Sequence, residues 1–227
     1  MKISEIDVSL IDKMGTDLSV VNAARVSFDK ESEYLSDKDQ KLIKYLAKHQ
    51  HKSPFNHCFL SFRVKAPIFV ARQLVKHKFL PWNEVSRRYV DSEPEFYMPE
   101  HWRKKADNVK QGSSTETIPA REIKACIEWT LWGFEDGCYY KNDSIELSAK
   151  TYEFLLEQGV CPEQARMVLP QNTMTEWIWS GSLGAFADMC RLRLDSHTQV
   201  ETQYVAAAVA EHLREAFPVS FSALMEV

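Results

Sequence analysis

Polar and apolar positions alternate over residues 58–65, with Cys58, Leu60, Phe62 and Val64 on one side and Phe59, Ser61, Arg63 and Lys65 on the other. That period of two predicts a half-buried strand. Upstream, Leu42, Ile43, Leu46 and Ala47 recur at helical spacing behind Ser36-Asp37, a pair suited to capping, so a helix is expected over 37–49. Pro54 stops a simple continuation, and residues 51–57 read as an ordered loop. Pro67 suits the first turn of a helix over 66–76, in which Ile68, Ala71 and Val75 share one face and Arg72 and Lys76 another, with Gln73 beside them. Leu80-Pro81-Trp82 ends it, and 83–89 follows as a short polar, basic segment. Residues 104–119, with Gly112-Ser113-Ser114-Thr115 in their middle, carry the weakest pattern and are expected to be a loop. Two helices are expected over 118–140 and 145–158, with Gly159 as a stop. Pro162 starts a short helix carrying Arg166, 173–180 suits a strand, Ser182 caps a helix to about 192, and Ser196 caps a last helix to about 216, ended by Pro218. Strands and long helices without a βαβ rhythm indicate an α+β fold, and no repeat or linker divides residues 1–227, which read as a single domain.

Composition narrows the classes. Over 227 residues the chain is 44% hydrophobic and 26% charged. With a mean hydropathy of -0.36, no apolar run near the ~18 residues of a membrane span and no leader-like start, a cytoplasmic protein is expected, with no membrane partner. Five cysteines without a CxxC pair make a disulfide framework or a cysteine-rich metal site improbable, and no metal site is expected. Seven glycines, none in a G-x-G-x-x-G or P-loop run, exclude those two nucleotide cradles. Net charge is -4, yet residues 72–88 hold five basic side chains (Arg72, Lys76, Lys78, Arg87, Arg88) and a single acid, Glu84. Such a patch suits a small anionic ligand or a solvated face. Its interleaving with Trp82 and Tyr89 also suits single-stranded nucleic acid, against which the overall acidity argues.

Within the patch, Lys76-His77-Lys78 is followed after seven residues by Ser86-Arg87-Arg88-Tyr89, a donor-rich arrangement of the kind phosphates require. These residues resemble the signature of the flavin-dependent thymidylate synthases, Arg-His-Arg, seven residues, then Ser, with lysine in place of both arginines. The resemblance extends through His51-x-Ser53-Pro54-Phe55-x-His57, Val64 to Gln73, Asn83-Glu84, Ala165-Arg166-x-x-Leu169-Pro170, Leu192-Arg193-x-Asp195-Ser196-His197-x-Gln199 and Ala24-Arg25-Val26-Ser27. It covers most of the chain in order and is weak over 99–160.

The resemblance implies an α+β domain with a central, mostly antiparallel sheet flanked by long helices, assembling as a homotetramer with active sites at subunit interfaces. It implies methylation of dUMP at C5 to dTMP, with methylenetetrahydrofolate as one-carbon donor and FAD, reduced by NADPH, as hydride source. Position by position it implies that Gln73, Leu74, Val75, Lys76, Glu84, Val85, Ser86, Arg87, Arg88, Arg166 and Arg193 bind dUMP. Arg193 is the implied catalytic residue, a guanidinium near uracil O2 and N3 that favours the anion and so makes C5 nucleophilic. Contacts to FAD are implied for His51, Ser53, Lys76, His77, Lys78, Asn83, Glu84, Ser182, Leu183, Gly184, Asp188 and His197. Asp188 stands where Asn is common and Gly184 where Arg occurs. Ser86 reads as a ligand rather than a nucleophile, because the motif offers no base oriented by a third group. Cys58 and the pair Trp177 and Trp179 read as core packing.

Overall fold

The chain opens with strands β1 (Lys2–Ile3) and β2 (Asp7–Met14) and helix α1 (Asp17–Arg25). The computed structural model describes residues 2–107, 113–118 and 144–227, with the backbone alone of Trp132–Glu135 and Cys138–Lys141. Ser36 caps α2 (Asp37–Lys48) as expected, and the cap is reciprocal: Asp39 N–H donates to the Ser36 hydroxyl and Ser36 N–H to Asp39 Oδ2 at 3.0 Å. Residues Ser53–His57 form a 3-10 turn rather than a loop, with Pro54 in the first turn, where a missing N–H costs nothing.

The alternating stretch is β3 (Phe59–Pro67), followed by α3 (Ile68–Leu74). Pro67 ends the strand instead of opening the helix. The first donors of α3, Ile68 N–H and Phe69 N–H, are taken by the Thr173 and Gln171 carbonyls, which replace a conventional cap. Strands β4 (Trp82–Glu84) and β5 (Glu95–Phe96) come next. The expected loop over 104–119 is instead part of an antiparallel pair, β6 (Trp102–Lys105) and β7 (Ser113–Ile118), with residues 108–112 outside the described set. Cross-strand contacts favour it, Arg103 Nε to Ser113 Oγ at 2.8 Å and Lys104 to Glu116 at 2.9 Å. The expected helix over 118–140 is also corrected where it is described: β8 (Trp132–Glu135) and β9 (Cys138–Lys141) pair antiparallel in register Glu135↔Cys138. Residues 119–131 lie outside the described set.

Helix α4 (Ser144–Glu157) stops at Gly159, whose φ of 80° suits a residue without Cβ. Next come α5 (Pro162–Ala165), a 3-10 turn over Arg166–Val168, β10 (Met174–Ser182) and α6 (Leu183–Arg193), capped by Ser182 as expected. Helix α7 (Val200–Ala216) starts after Gln199, later than Ser196, because residues 195–198 close their own turn. Within that turn Thr198 N–H donates to the Asp195 carbonyl and His197 N–H to the Asp195 carboxylate. Pro218 does follow the end of α7, but it also opens a further helix, α8 (Pro218–Met225), that the pattern did not signal.

Two compact units emerge, each made of three chain stretches. The larger holds Asp7–Lys65, Arg72–Asn83 and Glu176–Val227, and is built on a four-stranded sheet in the order β2-β3-β10-β4, with β2 antiparallel to β3. Leu60, Phe62 and Val64 are buried on one face of β3, as the alternation requires. Trp82 stacks on Trp177 at 4.2 Å, and Phe186 meets Phe62 and Trp179 edge-on at 5.1 and 5.3 Å. Trp177 and Trp179 therefore pack the core, as expected. Cys58 and Cys190 are buried, and burial pushes their thiols up to about 11 and about 12, which leaves them as small apolar side chains at neutral pH. Buried Asp17 accepts from Val219 N–H and Ser220 N–H at 3.0 and 2.8 Å, so the first residue of α1 holds the N-terminus of α8.

The smaller unit holds Met1–Ile6, Ala66–Ala71 and Glu84–Thr175. In it β1 pairs parallel with β5, and Phe96 and Tyr152 are fully buried. The Asn172 amide donates to the Tyr97 carbonyl at 2.8 Å.

Arg25 is engaged by Asp39, a carboxylate only 2% exposed whose Oδ1 accepts from Arg25 Nε at 3.1 Å. The Ser36 hydroxyl, then the Ser36 N–H and Arg25, outweigh burial and lower the Asp39 pKa from 3.8 to about 2. A depressed acid contributes stability fully above its unfolded pKa and loses it as pH falls through the folded value. Asp39→Asn should therefore cost about 2 kcal/mol at neutral pH and almost nothing near pH ~2. Urea midpoints measured down that range should converge; a constant offset would place the stabilisation elsewhere than in the charge.

Candidate functional site

Arg193 is the last residue of α6, and in the larger unit it turns back onto the end of α3. Its Nε donates to His77 Nε2 at 2.8 Å and its Nη2 to the Gln73 carbonyl at 2.9 Å. The Gln73 amide in turn donates to Gln199 Oε1 at 2.7 Å. Gln73, His77 and Arg193, three of the residues singled out by sequence, are thus one bonded group. Gln199, which stands in the quoted C-terminal motif, is a fourth member. Arg193 is half-buried and lies within 4 Å of no carboxylate among the described residues; burial lowers its pKa. Burial first, then the Arg193 charge, pushes His77 down to about 4, so its ring is neutral and able to accept at Nε2.

The other end of α6 is polar too. The Ser182 hydroxyl accepts from Ala185 N–H at 3.2 Å and donates to Asn56 Oδ1 at 2.8 Å. A Cβ on Gly184 would lie 2.7 Å from that same Asn56 oxygen, so the amide fills the space a side chain at 184 would need. Asp188 pairs with Lys52 at 2.6 Å and Arg191 at 2.7 Å, and these three with His51 line a small pocket. Lys52, Asn56 and Arg191 were not anticipated; each is separated in sequence from the side chain it serves or sits beside a more conspicuous one. Ser53, Lys76, Lys78 and Asn83 are exposed, and Val75 is 48% exposed. The Leu74 and Leu183 side chains are fully buried in the core, and the Leu183 N–H is taken by the Cys58 carbonyl. Exposed His197 bonds Asp195 at 2.9 Å.

In the smaller unit, the Ser86 hydroxyl accepts from Arg88 Nε at 3.1 Å, and Arg88 lies over the Tyr89 ring at 4.9 Å. Arg87 donates to the Ser92 carbonyl at 2.9 Å and lies 5.9 Å from the centroid of buried Tyr152. Glu84 accepts from Thr175 Oγ1 at 2.8 Å, Val85 is 47% exposed, and exposed Arg166 donates to the Glu163 carbonyl at 3.3 Å. Ser86 and Arg88 are thus adjacent, while Arg87 is steered by an aromatic face. The Ser86 oxygen meets a cation that cannot take its proton, which suits a ligand rather than a nucleophile.

Among the described residues no three His, Cys, Asp or Glu side chains gather as a metal site. The exposed Lys76 and Lys78, the net-cationic Lys52-Asp188-Arg191 group, and the Ser182-Asn56 pair beside bare Gly184 do fit an anionic organic cofactor.

An α+β scaffold with a guanidinium held by neutral acceptors, and with Arg88 set against Ser86, has the chemistry that suits small anionic ligands. Residues 9–219 match the family described as thymidylate synthase complementing protein. The flavin-dependent thymidylate synthase of Thermotoga neapolitana is 39% identical over 229 residues, covering 100% of this chain and 95% of that one. That of Thermosipho melanesiensis is 38% identical over 217 residues, covering 96% and 89%. The crystal structure of a UMP/dUMP methylase from Streptomyces cacaoi, bound with 5-Br dUMP, superposes with a TM-score of 0.84 at 28% identity and covers 100% of this chain and 97% of that one. The chain belongs to the thymidylate synthase complementing protein family.

Both Asp188 ion pairs are about half exposed, at 44–45% for Lys52 and Asp188. Asp188→Asn should therefore cost less than about 1 kcal/mol, and less still at high salt. Urea unfolding at two ionic strengths checks this; a loss of several kcal/mol would make Asp188 a structural anchor rather than a residue available to a ligand.

Proposed function

We propose that this chain is a flavin-dependent thymidylate synthase, which methylates dUMP at C5 to give dTMP, with methylenetetrahydrofolate as one-carbon donor. The observation that carries the reading is Arg193: a half-buried guanidinium whose described partners are a carbonyl and a neutral imidazole. Its charge is left for a ligand. Uracil C5 is a weak nucleophile until N3 loses its proton or the carbonyls are polarised, and a desolvated guanidinium at O2 and N3 favours the anion electrostatically. Ser86, Arg87, Arg88 and Arg166 hold the phosphate in this reading, and Gln73, Leu74, Val75, Lys76, Glu84 and Val85 complete the dUMP set. Ser86 donates a hydrogen bond to substrate and attacks nothing.

FAD is the cofactor in this reading, held by His51, Ser53, Lys76, His77, Lys78, Asn83, Glu84, Ser182, Leu183, Gly184, Asp188 and His197. When bound and reduced by NADPH it supplies the hydride. Lys76 and Lys78 keep the charge of the family's arginines without the planar fork, so they act as point charges on phosphate. Residues 1–227 serve as one functional domain, working as a cytoplasmic homotetramer with active sites at subunit interfaces and with no nucleic-acid or membrane partner. Among the described residues no helix is long and apolar enough to cross a membrane.

Purified protein mixed with FAD should show flavin absorbance bands that bleach with NADPH under anaerobic conditions, and with dUMP and methylenetetrahydrofolate it should form dTMP. Arg193→Ala should lower dTMP formation by about 100-fold or more while flavin still binds; near-normal turnover would remove Arg193 from the chemistry. Arg88→Ala should weaken dUMP binding by about 2 to 5 kcal/mol. An unchanged dissociation constant, measured calorimetrically, would take Arg88 out of the phosphate site.

A further inference from the structure

A guanidinium offers five N–H donors in a rigid plane, and their directions decide which acceptors it can serve together. In Arg193 one edge of that plane is spent: Nε on His77 Nε2 and Nη2 on the Gln73 carbonyl, at 2.8 and 2.9 Å. These two atoms form the side of the guanidinium, so the remaining end, Nη1 with the second Nη2 hydrogen, is left as a fork that can meet two adjacent acceptors. No described residue takes that end in a hydrogen bond or ion pair. A pyrimidine anion presents such a pair in O2 and N3.

We propose that His77 is a positioning residue for Arg193, its unprotonated Nε2 fixing the plane in which the free end of the guanidinium meets the pyrimidine. This rests on the reading of Arg193 given above. His77 can accept at Nε2 only while its proton sits on Nδ1. Protonation would set N–H against N–H and cation against cation. Arg193, reaching in from α6, is the charged group that acts on the ring; Lys76 and Lys78 flank it in sequence, and no carboxylate among the described residues pairs with it to favour the imidazolium. The Gln73 carbonyl belongs to α3, and His77 N–H donates to the Leu74 carbonyl at 3.1 Å, so both acceptors stand on backbone held at the end of that helix. The His77 ring thus has a task in addition to any contact with a cofactor. It holds the side edge of Arg193, and through it the direction of the end fork.

Two measurements separate this from the parent reading. The first needs neither cofactor nor turnover: nitrogen NMR of 15N-histidine-labelled protein, with the His77 signals assigned by their loss in His77→Gln. A ring that stays neutral at pH 5.5–6 (about 6), with Nδ1 protonated and Nε2 bare, is expected, because its midpoint lies at about 4 rather than 6.5. Titration near the ordinary value, or the opposite tautomer, overturns the proposal whether or not the protein makes dTMP. The second compares His77→Leu, which has no acceptor, with His77→Gln, whose amide oxygen can take the Arg193 Nε–H. Compared at saturating flavin, the leucine variant should lose kcat by about 100-fold, as for a misplaced reacting group; the glutamine variant should recover most of it. Equal losses in both variants, or activity that falls only in step with flavin binding, would make His77 a cofactor contact and nothing more. If the wild-type protein forms no dTMP while the NMR result holds, the proposed activity fails and the imidazole–guanidinium pairing stands.

Discussion

A cation drawn partly out of water without an anion beside it is costly, and the Arg193 guanidinium is held in that condition. What offsets the cost is a set of dipoles rather than a charge: the Gln73 carbonyl, at the end of α3 where helix carbonyls carry partial negative charge, and a lone pair on His77. A carboxylate in either place would cancel much of the field of the guanidinium. The arrangement spends stability to keep a charge available. It also dictates the state of its neighbours, because His77 has to be neutral and the end of α3 has to stay in place.

The larger unit supplies that rigidity from both ends of α6. At its start, the Ser182 cap, the Leu183 N–H on the Cys58 carbonyl and the Asn56 amide fix the first turn. The helix then buries Phe186 against Phe62 and Trp179, so the rotation of Arg193 at its far end follows from aromatic packing. The return from His77 to β4 is equally constrained. Phe79 has a φ of 62°, a conformation unfavourable for a side chain with Cβ, and the Leu80 side chain packs against Gly181, where a Cβ would lie 2.2 Å from Leu80 Cδ2. The backbone strain sits two residues from His77, where the chain must turn sharply to bring Trp82 onto Trp177.

Much of this was legible because it is local. The caps at Ser36 and Ser182 and the alternation of β3 are patterns of a few residues, each decided by hydrogen bonds or burial within one element. The pairing of β8 and β9 was not, since the apolar and aromatic positions of residues 127–134, interrupted by Glu128, Thr130 and Gly133, satisfy helical and extended periods alike. Pro67 and Pro218 misled for a related reason: proline marks a boundary but not the side of it on which the helix lies. For the candidate site, the signature identified the residue types by resemblance, while the bond between His77 and Arg193 joins positions 116 apart, with no local trace. Lys52 and Arg191 were invisible because their meaning depends on Asp188, which reads as a lone departure from the family until its two partners are seen.

Those departures form compensated groups. A carboxylate at 188 would repel an anionic cofactor, but Lys52 and Arg191 both close on it and leave the group with net positive charge. A missing side chain at 184 would leave a gap, but the Asn56 amide lies there, already oriented by Ser182. The lysines at 76 and 78 are different, since nothing described beside them restores the planar fork an arginine would bring. They are exposed and free of carboxylates among the described residues, so their charge is undiminished even though their directionality is gone. Specific geometry at this end of the molecule therefore falls to the guanidinium that remains, Arg193, and to the imidazole that aims it.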